Sequence, residues 1–590
     1  MSDQRNLIVA IVLSVVIILG FQFLYEAPRL REQQAAKQAQ ETAQQDAATR
    51  PVPTQEQGQG QGQAAAPAGS GAVPAAGGGG AAAPTDRAAA IEATPRLRID
   101  NGRLHGSLSL KGGRIDDVTL ADYHATIDPA SPEIELLNPV GAPDPYFAEF
   151  GWVPGDGATA VPGEDALWKA EGDGGTLKAD APVTLAWDNG QGLAFQKRIG
   201  LDRNYMFEVE RSVTNNTGEP VTLYPYSLVS RWGTPHTSGY YILHEGPIGA
   251  IDGKLNEVDY KDLVEDKKIE AKTTGGWLGF TDKYWLASLV PPQDGQRTAT
   301  FRETGTAAAP RYQVDYLGAP LTVAPGETAS VTDHFFAGAK EVDKLDAYSE
   351  SLNIPLFDRA VDFGWFYFLT KPMFHVLDFF YRLVGNYGIA ILLLTLCVKL
   401  VFFPLANKSY RAMSQMKKLQ PEMTRIREQT DDKAKMQQEM MALYKREKVN
   451  PMSGCLPIVV QIPVFFSLYK VLFVSIEMRH APFYGWIHDL SAPDPTSVFN
   501  LFGLIPFTPP HFLMIGVWPL LMGFTMWLQQ RLNPQPADPT QAKVMSFLPV
   551  MFTFLFATFP AGLVIYWTWN NTLSIIQQRV IMWRMGVKPG

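Results

Sequence analysis

A lone lysine inside an apolar run is the most demanding chemical feature of this 590-residue sequence. Lys399 lies within GIAILLLTLCVKLVFFPLA, Gly388 to Ala406. A charge in hydrocarbon costs about 2.5–3.5 kcal/mol on insertion scales, so Lys399 must reach an interface or find polar company inside. On a helix rising about 1.5 Å per residue it lies roughly 9 Å short of Leu405, within range of a snorkelling stem. Periodicity alone leaves both readings open. The five C-terminal apolar runs contain no internal Asp or Glu, so they offer no ion-pair partner. They do carry uncharged polar residues at matching depth: Thr395, Gln461, Gln529, Asn570, Asn571 and Thr572. A cation among amides and hydroxyls suits a water-filled cavity open on one side. A proton-driven transporter calls instead for a carboxylate or histidine relay. An ATP-driven pump needs a nucleotide site, and AIDGKL lacks the earlier Gly and the Ser/Thr of a P-loop.

No H-E-x-x-H or G-x-S-x-G occurs. The two cysteines, Cys397 and Cys455, lie in apolar runs, so neither a disulfide framework nor a cysteine zinc site is implied. The expectation is a protein that is not an enzyme and uses no cofactor or metal. A net charge of −8 argues against a nucleic-acid binder.

The elements that position Lys399 follow from the pattern. Residues 1–25 read as an uncleaved signal anchor, because the apolar run ends in FQFLY rather than small residues. Residues 26–93, rich in Gln, Ala, Gly and Pro, read as a disordered linker. From 94 to 345, short alternating runs such as YMFEVERSVTNNT predict a large antiparallel β-sandwich. Its Trp152, Trp168, Trp187, Trp232, Trp277 and Trp285 read as core rather than as a sugar cleft. Residues 355–382 predict an amphipathic helix in the membrane interface, kinked or divided at Pro372. Lys371, His375, Asp378 and Arg382, spaced 4, 3 and 4, form its polar stripe.

Spans are predicted at 384–405, 456–476, 512–528, 544–559 and 562–576, which with the anchor makes six. Loop 407–450 carries eleven Lys and Arg, and loop 477–511 carries Arg479 alone. The first is therefore cytoplasmic, as are both termini and the tail 581–590, and the β domain is external. Within 407–450, Met413, Met416 and Met423 mark one helical seam, and Met436, Met440 and Tyr444 another. Asp431-Asp432 between them reads as turn and N-cap. The result is a cytoplasmic helical hairpin whose Met-rich seams suit adaptable contacts.

Four stretches together closely resemble the YidC/Oxa/Alb insertase family: LLTLCVKLVFFPLANKSYRAMSQMKKLQPEM, DDKAKMQQEMMALYKREKVNPMSGCLPIVVQIPVFFSLY, APFYGWIHDLSAPDP and FPAGLVIYWTWNNTLSIIQQ. The resemblance covers roughly residues 354–578, in the same segment order. It implies a polytopic α-helical bundle, residues 384–580, with a periplasmic β-supersandwich resembling sugar mutarotases. It further implies a hydrophilic groove open to cytoplasm and lipid, with Lys399 at the family's groove cation, usually Arg, and Thr395 at its threonine. Substrate helices would slide along Ile462, Phe465, Leu555, Tyr566 and Trp567, with Trp567 in place of the usual Tyr. The implied partners are nascent membrane proteins, ribosome-bound nascent chains, the Sec translocon and membrane lipids, in the bacterial inner membrane. Two rivals stand beside this reading: a transporter or channel with an external binding domain, and an envelope scaffold.

Overall fold

The computed structural model describes residues 72–76 and 86–586, apart from gaps at 173–174, 238–241, 307–308, 430–431, 450–455, 504, 506–508, 511–513 and 534–538. The expected anchor and most of the linker lie outside the described residues, as do Asp431, Cys455 and residues 587–590.

Alternation builds the sandwich. Along Leu193–Leu201 every second side chain is buried, and Met206–Asn215 pairs with it antiparallel in register. The described strands form a ten-stranded and a nine-stranded sheet. Their inner faces meet through aromatic edges, as in Phe150–Phe335 at 6.1 Å and Tyr146–Phe280 at 6.0 Å. The inward position of Lys197 breaks the apolar pattern. Its Nζ donates to the Gly113 carbonyl at 3.0 Å and lies over the Trp168 ring, and burial pushes its pKa down to about 7. Trp152, Trp168 and Trp277 are buried in the core, and Trp187, Trp232 and Trp285 are half-buried and packed against hydrophobic clusters, as expected of sandwich residues.

Parts of the expected linker are ordered against this domain. Helix α1 (Arg87–Glu92) docks through Arg87, whose Nε donates to Asn138 Oδ1 at 2.8 Å. Residues 72–76 lie along the strands of the ten-stranded sheet. There Gln313 accepts from the Ala76 amide at 2.9 Å and donates to the Pro74 carbonyl at 3.1 Å, while Arg302 donates to the Val73 carbonyl at 3.0 Å. Composition suggested disorder, but side-chain groups that bind backbone atoms make composition irrelevant at this short stretch.

The sandwich, which also carries α2 (Tyr260–Asp266), does not end at 345. Helix α3 (Val342–Ser351) and the turn Phe357–Ala360 continue its core, with Phe336 edge-on to Tyr348 and Phe357. Helix α4 (Tyr367–Val384) follows as one piece. Pro372 sits within it and does not divide it, so of the kink or division expected there the division does not occur. Its polar stripe faces α3: Lys371 pairs with Asp346 at 2.7 Å and Asp358 at 2.9 Å, and Arg382 pairs with Asp343 and Asp378. The face beside this stripe leaves Phe368, Phe379 and Leu383 exposed.

Seven more helices follow: α5 (Tyr387–Val401), α6 (Phe403–Gln429), α7 (Lys433–Arg446), α8 (Leu456–Val474), α9 (Val517–Leu532), α10 (Pro539–Phe556) and α11 (Ala561–Arg584). Among the described residues no single helix is long and apolar enough to cross a membrane, and the pair α5 and α6, bent by 70°, passes that test together. The span expected at 384–405 is therefore a shorter helix broken at Phe402. Gly388 lets α5 approach the loop after α8 closely, since a Cβ there would overlap the Phe483 ring.

That loop closes the end of the bundle nearest the sandwich. Met478, Ile487 and Leu490 are buried, and the Leu490 and Ala492 carbonyls accept from Gly562 and Ala561 at the start of α11. Buried Asp494 caps α9 from a distance, accepting from the Trp518 amide at 2.9 Å. Arg479 donates to the His124 carbonyl at 2.6 Å, so the same loop also grips the sandwich.

Glu477 lies at this joint. The residue keeps some exposure, but its carboxyl oxygen Oε2 is buried without a partner, while Oε1 accepts from the Val342 amide at 3.0 Å. Burial, with Glu341 and Asp378 nearby, pushes its pKa from 4.5 to about 8. The folded joint thus favours neutral Glu477. This contribution is full below pH 4.5 and is lost as pH rises through about 8. Thermal unfolding of Glu477→Gln is expected to lack that part of the pH dependence, matching wild type in acid and exceeding it by a few degrees near pH 8. Parallel profiles for the two proteins would refute the assignment.

Candidate functional site in the helical bundle

The expected polar interior forms where α5, α6, α8 and α11 converge, at the end away from the sandwich. Lys399 lies in the last turn of α5 and is half-buried. Its Nζ donates to Ser574 Oγ on α11 at 2.8 Å, and no ion pair among the described residues involves it. Ser574 also donates to the Asn570 carbonyl one turn back, and Tyr410 of α6 lines the same small cavity as Lys399. Helices α5 and α11 are therefore linked through one hydroxyl. A cavity of 30 Å³ lies beside Lys399, lined by Gln461, Tyr410 and Phe402 among others. This is room for a water or two.

The other expected groove residues divide. Gln461 is half-buried and donates to the Tyr566 hydroxyl. Asn571 is buried and donates to Thr525 Oγ1 of α9 at 3.2 Å. Asn570 is half-buried, with Oδ1 inaccessible and without a partner among the described residues. Thr395 is buried with its hydroxyl turned onto the Ile391 carbonyl at 2.6 Å, so it lines the wall and offers no free group. Thr572 likewise donates to the Thr568 carbonyl, and Gln529 is half-buried on α9.

Ser574, Thr568 and Gln578 were not singled out in the sequence. Thr568, Asn571, Ser574 and Gln578 are spaced 3, 3 and 4 and all are buried, so helical periodicity in the last run carried the signal. Gln578 donates to Asn533 Oδ1 at 3.2 Å, and its own Oε1 has no partner among the described residues.

Among the expected substrate-contacting residues, Ile462 on α8 and Leu555 on α10 are exposed, about half of each surface being free. Phe465 and Trp567 stack edge to face at 4.7 Å and are half-buried between those helices. Tyr566 does not belong with them. It is buried and turned inward onto Gln461, because adjacent residues on a helix point about 100° apart.

The hairpin forms as α6 and α7, and Asp432 caps α7 by accepting from the Ala434 amide at 2.9 Å. Its seams are largely internal. Met423 and Leu443 are buried, Met413 packs on Tyr410 and Ile581, and Met416, Met436, Met440 and Tyr444 are half-buried. Two of its lysines terminate other helices: Lys417 donates to the Arg531 carbonyl of α9 at 3.2 Å and Lys418 to the Met585 carbonyl after α11 at 2.7 Å. Cations at helix C-termini are favourable there.

A β-sandwich seated on apolar helices, with Lys399 held by a serine hydroxyl rather than by a carboxylate, defines the architecture. Comparison with known proteins is specific. Residues 96–376 match the family described as the YidC periplasmic domain, and residues 379–588 match the 60Kd inner membrane protein family. The chain is 52% identical to the membrane protein insertase YidC of Bradyrhizobium diazoefficiens, covering 100% of this chain and 97% of that one. It is 51% identical to the protein of the same name from Brucella suis, with the same coverage. A crystal structure of an active YidC insertase, with its first transmembrane domain resolved, aligns with a TM-score of 0.35 and 18% identity over 82% of this chain and 91% of that one. The chain belongs to the YidC family of membrane protein insertases, inner membrane proteins with a periplasmic domain.

Proposed function

We propose that the chain inserts transmembrane segments of newly made proteins by drawing their short polar tails toward Lys399 while the apolar part passes into lipid along α8 and α10. One observation carries this: the bundle's cation is held by Ser574, with a small cavity beside it, while the loop at 477–511 covers the opposite end. On this reading polar groups enter from the lysine's end and meet a covered end opposite. Six spans, counting the anchor, with the hairpin and both termini in the cytoplasm, fit the Lys/Arg distribution. The exposed residues Ile462, Val459, Leu555 and Phe554 supply the apolar rail. Burial of side chains at about 0.8 kcal/mol per CH₂ drives the step, so neither hydrolysis nor a cofactor is needed. The Sec translocon and ribosome-bound chains are the partners such a step implies.

Accessibility tests the reading. In a background lacking Cys397 and Cys455, single cysteines at 461 and 570 are expected to react with a membrane-impermeant thiol reagent from the cytoplasmic side only. Cysteines at 392 and 552 should react slowly from both sides. Position 395, its side chain buried, should react more slowly than 461. Equal labelling from both faces would favour a channel, and no labelling at 461 or 570 would remove the cavity from the mechanism.

A further inference from the structure

A second, larger cavity lies at the other end of the bundle. The sandwich, the turn Phe357–Ala360 and the ends of α4 and α8 enclose 910 Å³. That volume is typical of small-molecule sites, roughly 300–1,000 Å³. No residue of the insertion site lines it.

Its position is marked by aromatic residues. Trp365 and Phe466 line it and are exposed, as is Phe368 beside them. Tyr367 and Tyr469 line it too. Large amphipathic rings concentrate at the headgroup level of a bilayer. On the proposed topology this cavity opens at the outer leaflet.

Its charges come from two sides. The turn Phe357–Ala360 and α8 supply Arg359 and Lys470. Lys470 is already matched, by Asp362 at 3.1 Å and by backbone carbonyls. Arg359 is not: its guanidinium lies over the Tyr367 ring at 3.2 Å, and its Nε is buried without a partner among the described residues. On the sandwich wall stand Glu245, Glu257 and Asp259. Asp259 is largely exposed and lies 3.7 Å from His244.

A cation on one side with carboxylates on the sandwich side mirrors one class of lipid. In a zwitterionic phospholipid the phosphodiester sits next to the glycerol and the amine lies outermost. A primary ammonium offers three N–H donors to carboxylates, and a quaternary ammonium offers none. An anionic headgroup without an amine would meet the carboxylates unfavourably.

We propose that this cavity binds the headgroup of a phospholipid bearing a primary amine, with the phosphodiester at Arg359 and the ammonium at Glu257 and Asp259. The proposal rests on the topology given above, which sets this end of the bundle at the membrane surface. Such a lipid would bridge the sandwich and the helices through one molecule.

The full-length chain, purified in detergent and stripped of lipid, can be titrated with phosphatidylethanolamine, phosphatidylglycerol or phosphatidylcholine and the bound lipid read by native mass spectrometry. Phosphatidylethanolamine should be retained about tenfold better than either other lipid. Arg359→Gln should lower its retention about tenfold, while Arg359→Lys keeps most of it and so separates loss of charge from loss of fold. Glu257→Gln combined with Asp259→Asn should abolish the preference for ethanolamine over choline. Soluble glycerophosphoethanolamine and inorganic phosphate at equal concentration should not displace the lipid, and displacement by either would assign the site to a free phosphate compound. Equal retention of all three lipids by the wild-type chain, or unchanged retention by Arg359→Gln, would overturn the proposal. These readouts do not involve insertion, so they stand or fall separately from the Lys399 mechanism.

Discussion

Lys399→Ala is expected to cut insertion of substrates with acidic tails by about ten- to a hundredfold, and Lys399→Arg to work at least as well as wild type. The Nζ donates to Ser574 at 2.8 Å and has no ion-pair partner among the described residues, so its charge remains available to a carboxylate that enters. Hydrogen bonds to charged groups contribute about 1.5–3 kcal/mol, and each 1.4 kcal/mol is a factor of ten. Arginine keeps the charge and adds donors in a rigid fork that matches a carboxylate. Ser574→Ala should have a smaller effect, because it frees the lysine without removing it. The assay is protease protection of the translocated tail in vesicles containing only this protein. Normal insertion of every substrate by Lys399→Ala would mean that the lysine merely snorkels to the interface.

Trp277→Ala is expected to be the most damaging single change in the sandwich, costing about 3–5 kcal/mol. Trp277 is fully buried where the sandwich meets the segment leading to the helices. Its ring meets Phe357 edge-on at 5.4 Å, and its Nε1 donates to the Pro355 carbonyl at 3.1 Å. Truncation leaves a cavity and an unmet carbonyl together. Trp277→Phe keeps most of the volume and should cost much less. Thermal unfolding followed by near-ultraviolet circular dichroism checks both, and equal midpoints for Trp277→Ala and wild type would show that the joint is not packed through this ring.

The sandwich was legible because alternation is a local signal. Leu193 to Leu201 announces its buried face in nine residues, and Asp432 announces its helix by residue type and position. The apolar helices were legible as runs, but not their ends: the break at Phe402 has no glycine or proline at its own position, and the helix resumes at Phe403 just before Pro404. Side-chain direction was legible only where a stripe was counted. Lys399 was found because a charge stands out among leucines, whereas Ser574 was missed because a serine in an apolar helix usually bonds its own backbone. Ser574 does so while also accepting from the lysine. Contacts between distant segments, such as Gln313 with Pro74 or Asp494 with Trp518, leave no trace in local pattern at all.

The 70° bend at Phe402 makes α6 a lever. It begins four residues after Lys399 and runs for 27 residues, about 40 Å. A force at its far tip acts on its base with that whole arm, so a push too weak to deform a helix still exerts a sizeable torque beside Lys399. Lys417 and Lys418 sit part-way along the arm and tie it to the ends of two other helices, fixing where it pivots. Tyr410, nearer the base, lines the small cavity beside the lysine. Rotation of the arm therefore moves a wall of that cavity, and a load arriving outside the bilayer is converted at its base into movement beside the lysine.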